Sequence, residues 1–104
     1  MAIKLANYEN YEELIKVDFV IVDFYSTTCV PCKIFSKILE DLEGEIPFIN
    51  VVKVNTTDYP ELGAKNNIQA VPTIKFYKNG DLLETYVGVI PYTELKERIA
   101  KYMY

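Results

Sequence analysis

The chain has 104 residues, with 11 basic and 15 acidic side chains, a formal charge of −4, two cysteines, no tryptophan and no histidine. The length suits a single domain over residues 1–104. The missing imidazole excludes a Ser-His-Asp triad, a Cys-His pair, a His-ligated metal and a His proton shuttle, so chemistry near neutral pH must come from perturbed Cys, Asp, Glu or Lys.

The acidic balance argues against nucleic acid, whose backbone requires a basic footprint. The first residues hold no apolar run of signal-peptide length and no cleavage-site pattern. The longest apolar stretch, Phe19-Val20-Ile21-Val22, is broken at Asp23 and is too short to span a membrane. The expectation is a cytoplasmic monomer with no membrane or nucleic-acid partner.

In chain order, Ile3-Lys4-Leu5 is a short strand candidate. Asn7 is a candidate N-cap for a first helix with Tyr11, Leu14 and Ile15 on one face. Phe19 to Tyr25 reads as a strand of β-branched and aromatic residues, apolar on both faces except at Asp23, which belongs in the middle of a covered sheet. Phe35, Ile38, Leu39 and Leu42 fall at i, i+3, i+4 and i+7, the stripe of an amphipathic helix, and Gly44 follows as a stop signal. Phe48 to Asn55 is a second apolar strand interrupted by Lys53, and Asp58 is a candidate cap for a short helix with Pro60 in its first turn.

Thr73–Tyr77 and Leu82–Val87 flank Lys78-Asn79-Gly80-Asp81. Asn-Gly is the strongest short hairpin signal, because both central residues must tolerate positive φ. A last helix carries Tyr92, Leu95, Ile99 and Tyr102 on one stripe. The order β-α-β-α-β-α-β-β-α implies parallel crossovers early and an antiparallel hairpin late, hence a mixed sheet with helices on both faces.

Cys29-Val30-Pro31-Cys32 sits directly after a buried strand and opens an amphipathic helix. Pro31 suits a first helical turn, where its missing N–H costs nothing. Residues three apart on a helix have Cα atoms about 5 Å apart, within disulfide range, so the two sulfurs can join or separate with little backbone movement. A bridge closing so small a loop contributes little stability, so its purpose is chemical. Cys29 lies where unpaired N–H groups and the positive helix end favour a thiolate, and Lys33 adds a positive charge. Cys32, inside the first turn, should be less exposed. Cys29 is therefore the attacking thiol and Cys32 the resolving one. The other readings are half a zinc site, which lacks two ligands, and two bland buried cysteines.

Val22-Asp23-Phe24-Tyr25 followed by Cys29-Val30-Pro31-Cys32-Lys33, then Val71-Pro72-Thr73, Phe76-Tyr77-Lys78-Asn79-Gly80 and Val87-Gly88, resembles the thioredoxin family in order and spacing over essentially the whole chain. The resemblance implies an α/β thioredoxin fold: a central mixed five-stranded sheet flanked by about four helices on both faces. It implies a protein-disulfide reductase, an electron carrier in cell redox homeostasis, that works by dithiol–disulfide exchange. The Cys29–Cys32 couple is its redox centre, with no bound cofactor. The implied partners are disulfide-containing target proteins and a thioredoxin-reductase-type electron donor. Substrate would meet Thr28, Val30, Pro31, Val71, Pro72 and Gly88. The family usually carries Trp-Cys-Gly-Pro-Cys; here Thr28 replaces the Trp, Val30 replaces the Gly, and Tyr25 stands where a second Trp is common. A glutathione-linked, glutaredoxin-like oxidoreductase and a thioredoxin-fold binding subunit with incidental cysteines are the alternatives. The buried Asp speaks against the first of these.

Asp23 interrupts an apolar strand six residues before Cys29. A buried carboxylate is costly unless paired, so its pKa should rise. It reads as the proton acceptor for Cys32, as the resemblance also implies, or as a hydrogen-bonded structural Asp. Lys53 would, by resemblance, lie beside Asp23 and share its protonation; equally it reads as a strand lysine that snorkels to water. Pro72 reads as a strand-initiating proline, while the resemblance implies a cis bond with the Val71 backbone next to the Cys pair, where an extended substrate can add as a strand. Gly88 reads as a point of close substrate approach or as a turn glycine.

Overall fold

The computed structural model describes residues 3–104. The elements are β1 (Ile3–Leu5), α1 (Tyr11–Leu14), β2 (Phe19–Tyr25), α2 (Val30–Glu45), β3 (Asn50–Asn55), α3 (Pro60–Lys65), β4 (Thr73–Lys78), β5 (Asp81–Val87) and α4 (Tyr92–Met103). The strands form one sheet in the order β1-β3-β2-β4-β5. β1, β3 and β2 are parallel, while β4 runs antiparallel to β2 and β5 antiparallel to β4. This is the mixed five-stranded sheet that the element order implied.

β2 is the middle strand, and every side chain from Phe19 to Phe24 is buried. Its alternation divides the core. Phe19 and Ile21 pack with Phe35, Leu39 and Leu42 of α2 and with Leu95 and Ile99 of α4. Val20, Val22 and Phe24 pack with Tyr11, Ile15 and Leu62 on the side of α1 and α3. Helices thus cover both faces, as a strand apolar on both sides demands. At the β4–β5 turn Asn79 has φ 53° and Gly80 φ 86°, the paired positive values of a hairpin turn matched to strand twist.

Several local expectations are corrected. Asn7 does not cap α1, which starts later; its Oδ1 accepts from Glu9 N and Asn10 N and caps the turn that leads into the helix. α2 runs through Gly44 to Glu45 and ends before Pro47, whose ring cannot continue a helix. The turn at Pro47 also delays β3 to Asn50, leaving Phe48 67% exposed. Asp58 makes no capping bond to α3. Asn55 does the local work instead, its Oδ1 accepting from Thr57 N and Asp58 N.

Leu39 has no accessible surface and seats α2 on the sheet. Leu39→Ala is expected to cost about 2–5 kcal/mol in urea unfolding, through lost burial and a residual cavity. A loss under about 1 kcal/mol would contradict this packing.

Candidate active site

The end of β2 feeds a short loop into α2. That loop is tied to the end of β3: Thr27 N donates to Thr57 Oγ1 at 3.1 Å and Asn55 Nδ2 to Thr27 Oγ1 at 3.3 Å. Thr56 donates to Tyr25 O through both N (2.7 Å) and Oγ1 (2.9 Å). The two central parallel strands therefore hold the loop at a fixed position over their C-terminal ends.

Cys29 is the N-cap of α2, in extended conformation, and its Sγ accepts from Cys32 N at 3.1 Å. Pro31 occupies the first turn. The sulfurs are joined in a disulfide with Cα atoms 5.2 Å apart, the spacing the helix itself supplies. Cys29 is half-buried whereas Cys32 is only 3% exposed. The outer sulfur is thus the one within reach of a partner. Thr28, Pro31 and Lys33 are exposed around it, and Val30 and Ile34 present apolar surface at 65% and 53% exposure.

The Val71–Pro72 bond is cis, and Val71 O lies 3.7 Å from Cys29 Sγ. Pro72 O accepts from Gly88 N at 2.8 Å, so the loop before β4 and the end of β5 are pinned together. Gly88 has φ +108°, a backbone that side chains rarely adopt, while the space at its Cβ position is open. Gly88 is therefore required there by conformation. Val71, Pro72 and Gly88 form one backbone rim beside the half-buried sulfur.

Asp23 has no accessible surface, and neither carboxylate oxygen has a hydrogen-bond partner among the described residues. It alternates with Ile21 onto the face covered by α2, the helix that carries both cysteines. Burial pushes its carboxyl up to about 7, opposed by the smaller pull of the Lys53 ammonium. Lys53 is its register partner on β3. The Lys53 ammonium, however, does not pair with Asp23. It donates to Ser36 Oγ at 2.6 Å and lies 4.8 Å from the centre of the Tyr25 ring. Asp23 and Lys53 are neighbours in register, yet the ammonium is held elsewhere.

A cleft of about 240 Å³ opens beside the pair, lined among others by Tyr25, Cys32, Lys33, Ser36, Lys53 and Asn55. Ser36 and Asn55 were missed in the sequence. Both had a signal: Ser36 lies one helical turn beyond Cys32, and Asn55 lies two residues beyond Lys53 on the same strand face.

The thioredoxin family model matches residues 2–101. The chain is 32% identical over 104 residues to a thioredoxin of Staphylococcus saprophyticus, covering 99% of this chain and 100% of that one. It is 36% identical over 85 residues to a chloroplast M-type thioredoxin of Spinacia oleracea, where the match covers 81% of this chain and spans about half, 47%, of the relative. The X-ray structure of Fasciola hepatica thioredoxin superposes with a TM-score of 0.84 at 32% identity, covering 98% of this chain and 99% of that one.

The buried carboxyl has a consequence for stability. In the unfolded chain an Asp titrates near pH 4. Between about 4 and about 7 the folded protein retains a proton that the unfolded chain has released, so stability falls as pH rises through that window and stays lower above it. Asp23→Asn removes this titration. The variant should gain about 3–4 kcal/mol over the parent between pH 4 and pH 8, read by urea unfolding at both. An equal difference at the two pH values would contradict a buried, unpaired carboxyl.

Proposed function

The chain belongs to the thioredoxin family, its Cys29–Cys32 pair is a thiol–disulfide exchange couple, and on that premise we propose that it reduces disulfides of target proteins. The observation that carries this reading is the asymmetry of the pair: a half-buried sulfur capping a helix, a covered sulfur one turn on, and, on the sheet face that this helix covers, a buried carboxyl with no hydrogen-bond partner among the described residues.

In the dithiol form Cys29 is a thiolate, favoured by the Cys32 N–H that points at its Sγ and by the positive end of a 16-residue helix. It attacks one sulfur of the target disulfide. That S–S bond breaks, a mixed disulfide forms, and the released target sulfur takes up a proton. Cys32 then gives its proton to the Asp23 carboxylate and attacks Cys29 Sγ. The mixed disulfide breaks, the second target thiol leaves, and two electrons have passed to the target, leaving Cys29–Cys32 oxidised. A carboxyl poised near neutrality suits this step, because both its charged, accepting form and its neutral form are populated there.

The target lies extended along the Val71–Pro72 and Gly88 rim, adding main-chain bonds as an extra strand, while Thr28, Val30 and Pro31 meet it from α2. Here Val30 supplies apolar surface directly between the two cysteines. A thioredoxin-reductase-type donor returns the electrons. Both sulfurs and Asp23 come from one chain, which supports action as a monomer. Electron donation also fits a reducing compartment, the cytoplasm, where such a couple is kept as dithiol.

Insulin-disulfide reduction with dithiothreitol tests this reading. The parent accelerates the reaction and Cys29→Ser does not. Cys32→Ser accumulates a mixed disulfide on a non-reducing gel. Trapping by Cys29→Ser in its place would reverse the two roles. Asp23→Asn should slow release from the mixed disulfide by about tenfold or more at pH 7.

A further inference from the structure

The Lys53 ammonium poses a question that the exchange chemistry does not answer. Lys53 sits directly across from Asp23 on the neighbouring parallel strand, on the same face. Asp23 is fully buried with both oxygens unpartnered among the described residues. An ammonium on a flexible four-carbon stem would ordinarily turn to such a carboxylate. It turns instead to Ser36 Oγ, 2.6 Å away, and to the Tyr25 ring. Ser36 lies one turn beyond Cys32 on α2, so the helix that carries the cysteines also carries the anchor for this charge.

We propose that Ser36 is a positioning residue that holds the Lys53 ammonium off Asp23, so that the carboxyl remains free to exchange a proton with Cys32. This rests on the reading of Asp23 as the proton acceptor. The surroundings leave few other groups to set that charge. β3 brings Lys53, β2 brings Tyr25 two residues along, and α2 brings Cys32, the exposed Lys33 and Ser36. β4 brings Ile74 alongside, and its Lys75 donates to Asn66 O. α4 turns Leu95 and Ile99 into this layer. Lys53, the cation that acts on Asp23, is therefore the charge whose position matters, and burial raises the carboxyl with that charge opposing it less strongly. Released from Ser36, the ammonium gains a direct ion pair with Asp23, and the carboxyl then releases its proton at lower pH.

The test is a ¹³C NMR titration of the Asp23 carboxyl in the oxidised protein. Ser36→Ala is conservative in a helix and leaves the apolar packing in place. It should lower the Asp23 midpoint by about 1 pH unit or more, as an adjacent opposite charge does. Ser36→Thr, which keeps the hydroxyl, should restore the parent midpoint. Lys53→Met should raise the midpoint, and adding Ser36→Ala to Lys53→Met should change nothing further. An unchanged or raised midpoint in Ser36→Ala, or the same shift with and without Lys53, overturns the proposal. The pH profile of mixed-disulfide release should move with the midpoint. If Asp23→Asn releases target as fast as the parent while the titration behaves as stated, the proton-acceptor reading fails and the anchoring role of Ser36 stands.

Discussion

Everything in this molecule is arranged around a strand that, from Phe19 to Phe24, meets almost no water on either side. β2 lies at the centre of the sheet with its apolar residues shared between two helical layers. That burial fixes where the strand ends, and the next residues form the loop that delivers Cys29 to the first turn of α2. The same burial makes Asp23 unusual. In any exposed strand it would be an ordinary acid. In this one it is a carboxyl without a hydrogen-bond partner among the described residues, its ionisation displaced toward neutrality by the loss of water. The buried core and the raised carboxyl are two outcomes of one desolvation.

The forces acting on the Lys53 ammonium are of similar size. A hydrogen bond involving a charged group contributes about 1.5–3 kcal/mol, and a cation over an aromatic face about 0.5–2 kcal/mol. An ion pair at 4 Å in an effective dielectric of 20 is worth about 4 kcal/mol before the cost of desolvating it. No single partner dominates, so geometry decides, and here it selects Ser36 and Tyr25 together. The absence of histidine sharpens this balance. With no imidazole in the chain, the proposed passage of the Cys32 proton to Asp23 depends on where one ammonium sits.

Repeating patterns were readable along the chain. The unbroken apolar run of β2, the stripe through Phe35, Ile38, Leu39 and Leu42, and the Asn79-Gly80 turn each carry a period or a backbone requirement that allows one main solution. Element ends were read less well, because Pro47 and the side chain of Asn55 act through local hydrogen-bond competition that periodicity does not register. The cysteines and Asp23 were legible because each breaks its surroundings: a paired thiol at a helix start, a charge in an apolar strand. Ser36 broke nothing. A serine on the intermediate face of a helix looks ordinary until a lysine from another strand arrives at its oxygen. The choice of partner for a long side chain depends on distances between segments that are far apart in sequence.

The spacing of the two cysteines also bears on how the molecule communicates. The 5.2 Å between their Cα atoms is what a helix provides unaided, and the cap that surrounds them uses the backbone of the same turn. Gaining or losing the bond therefore asks almost nothing of the sheet or of α2. A change in electron count is registered first as chemistry at two atoms that the helix already holds in place. A protein that must tell the loaded form from the spent one therefore has its most direct signal in those two sulfurs, inspected at close range.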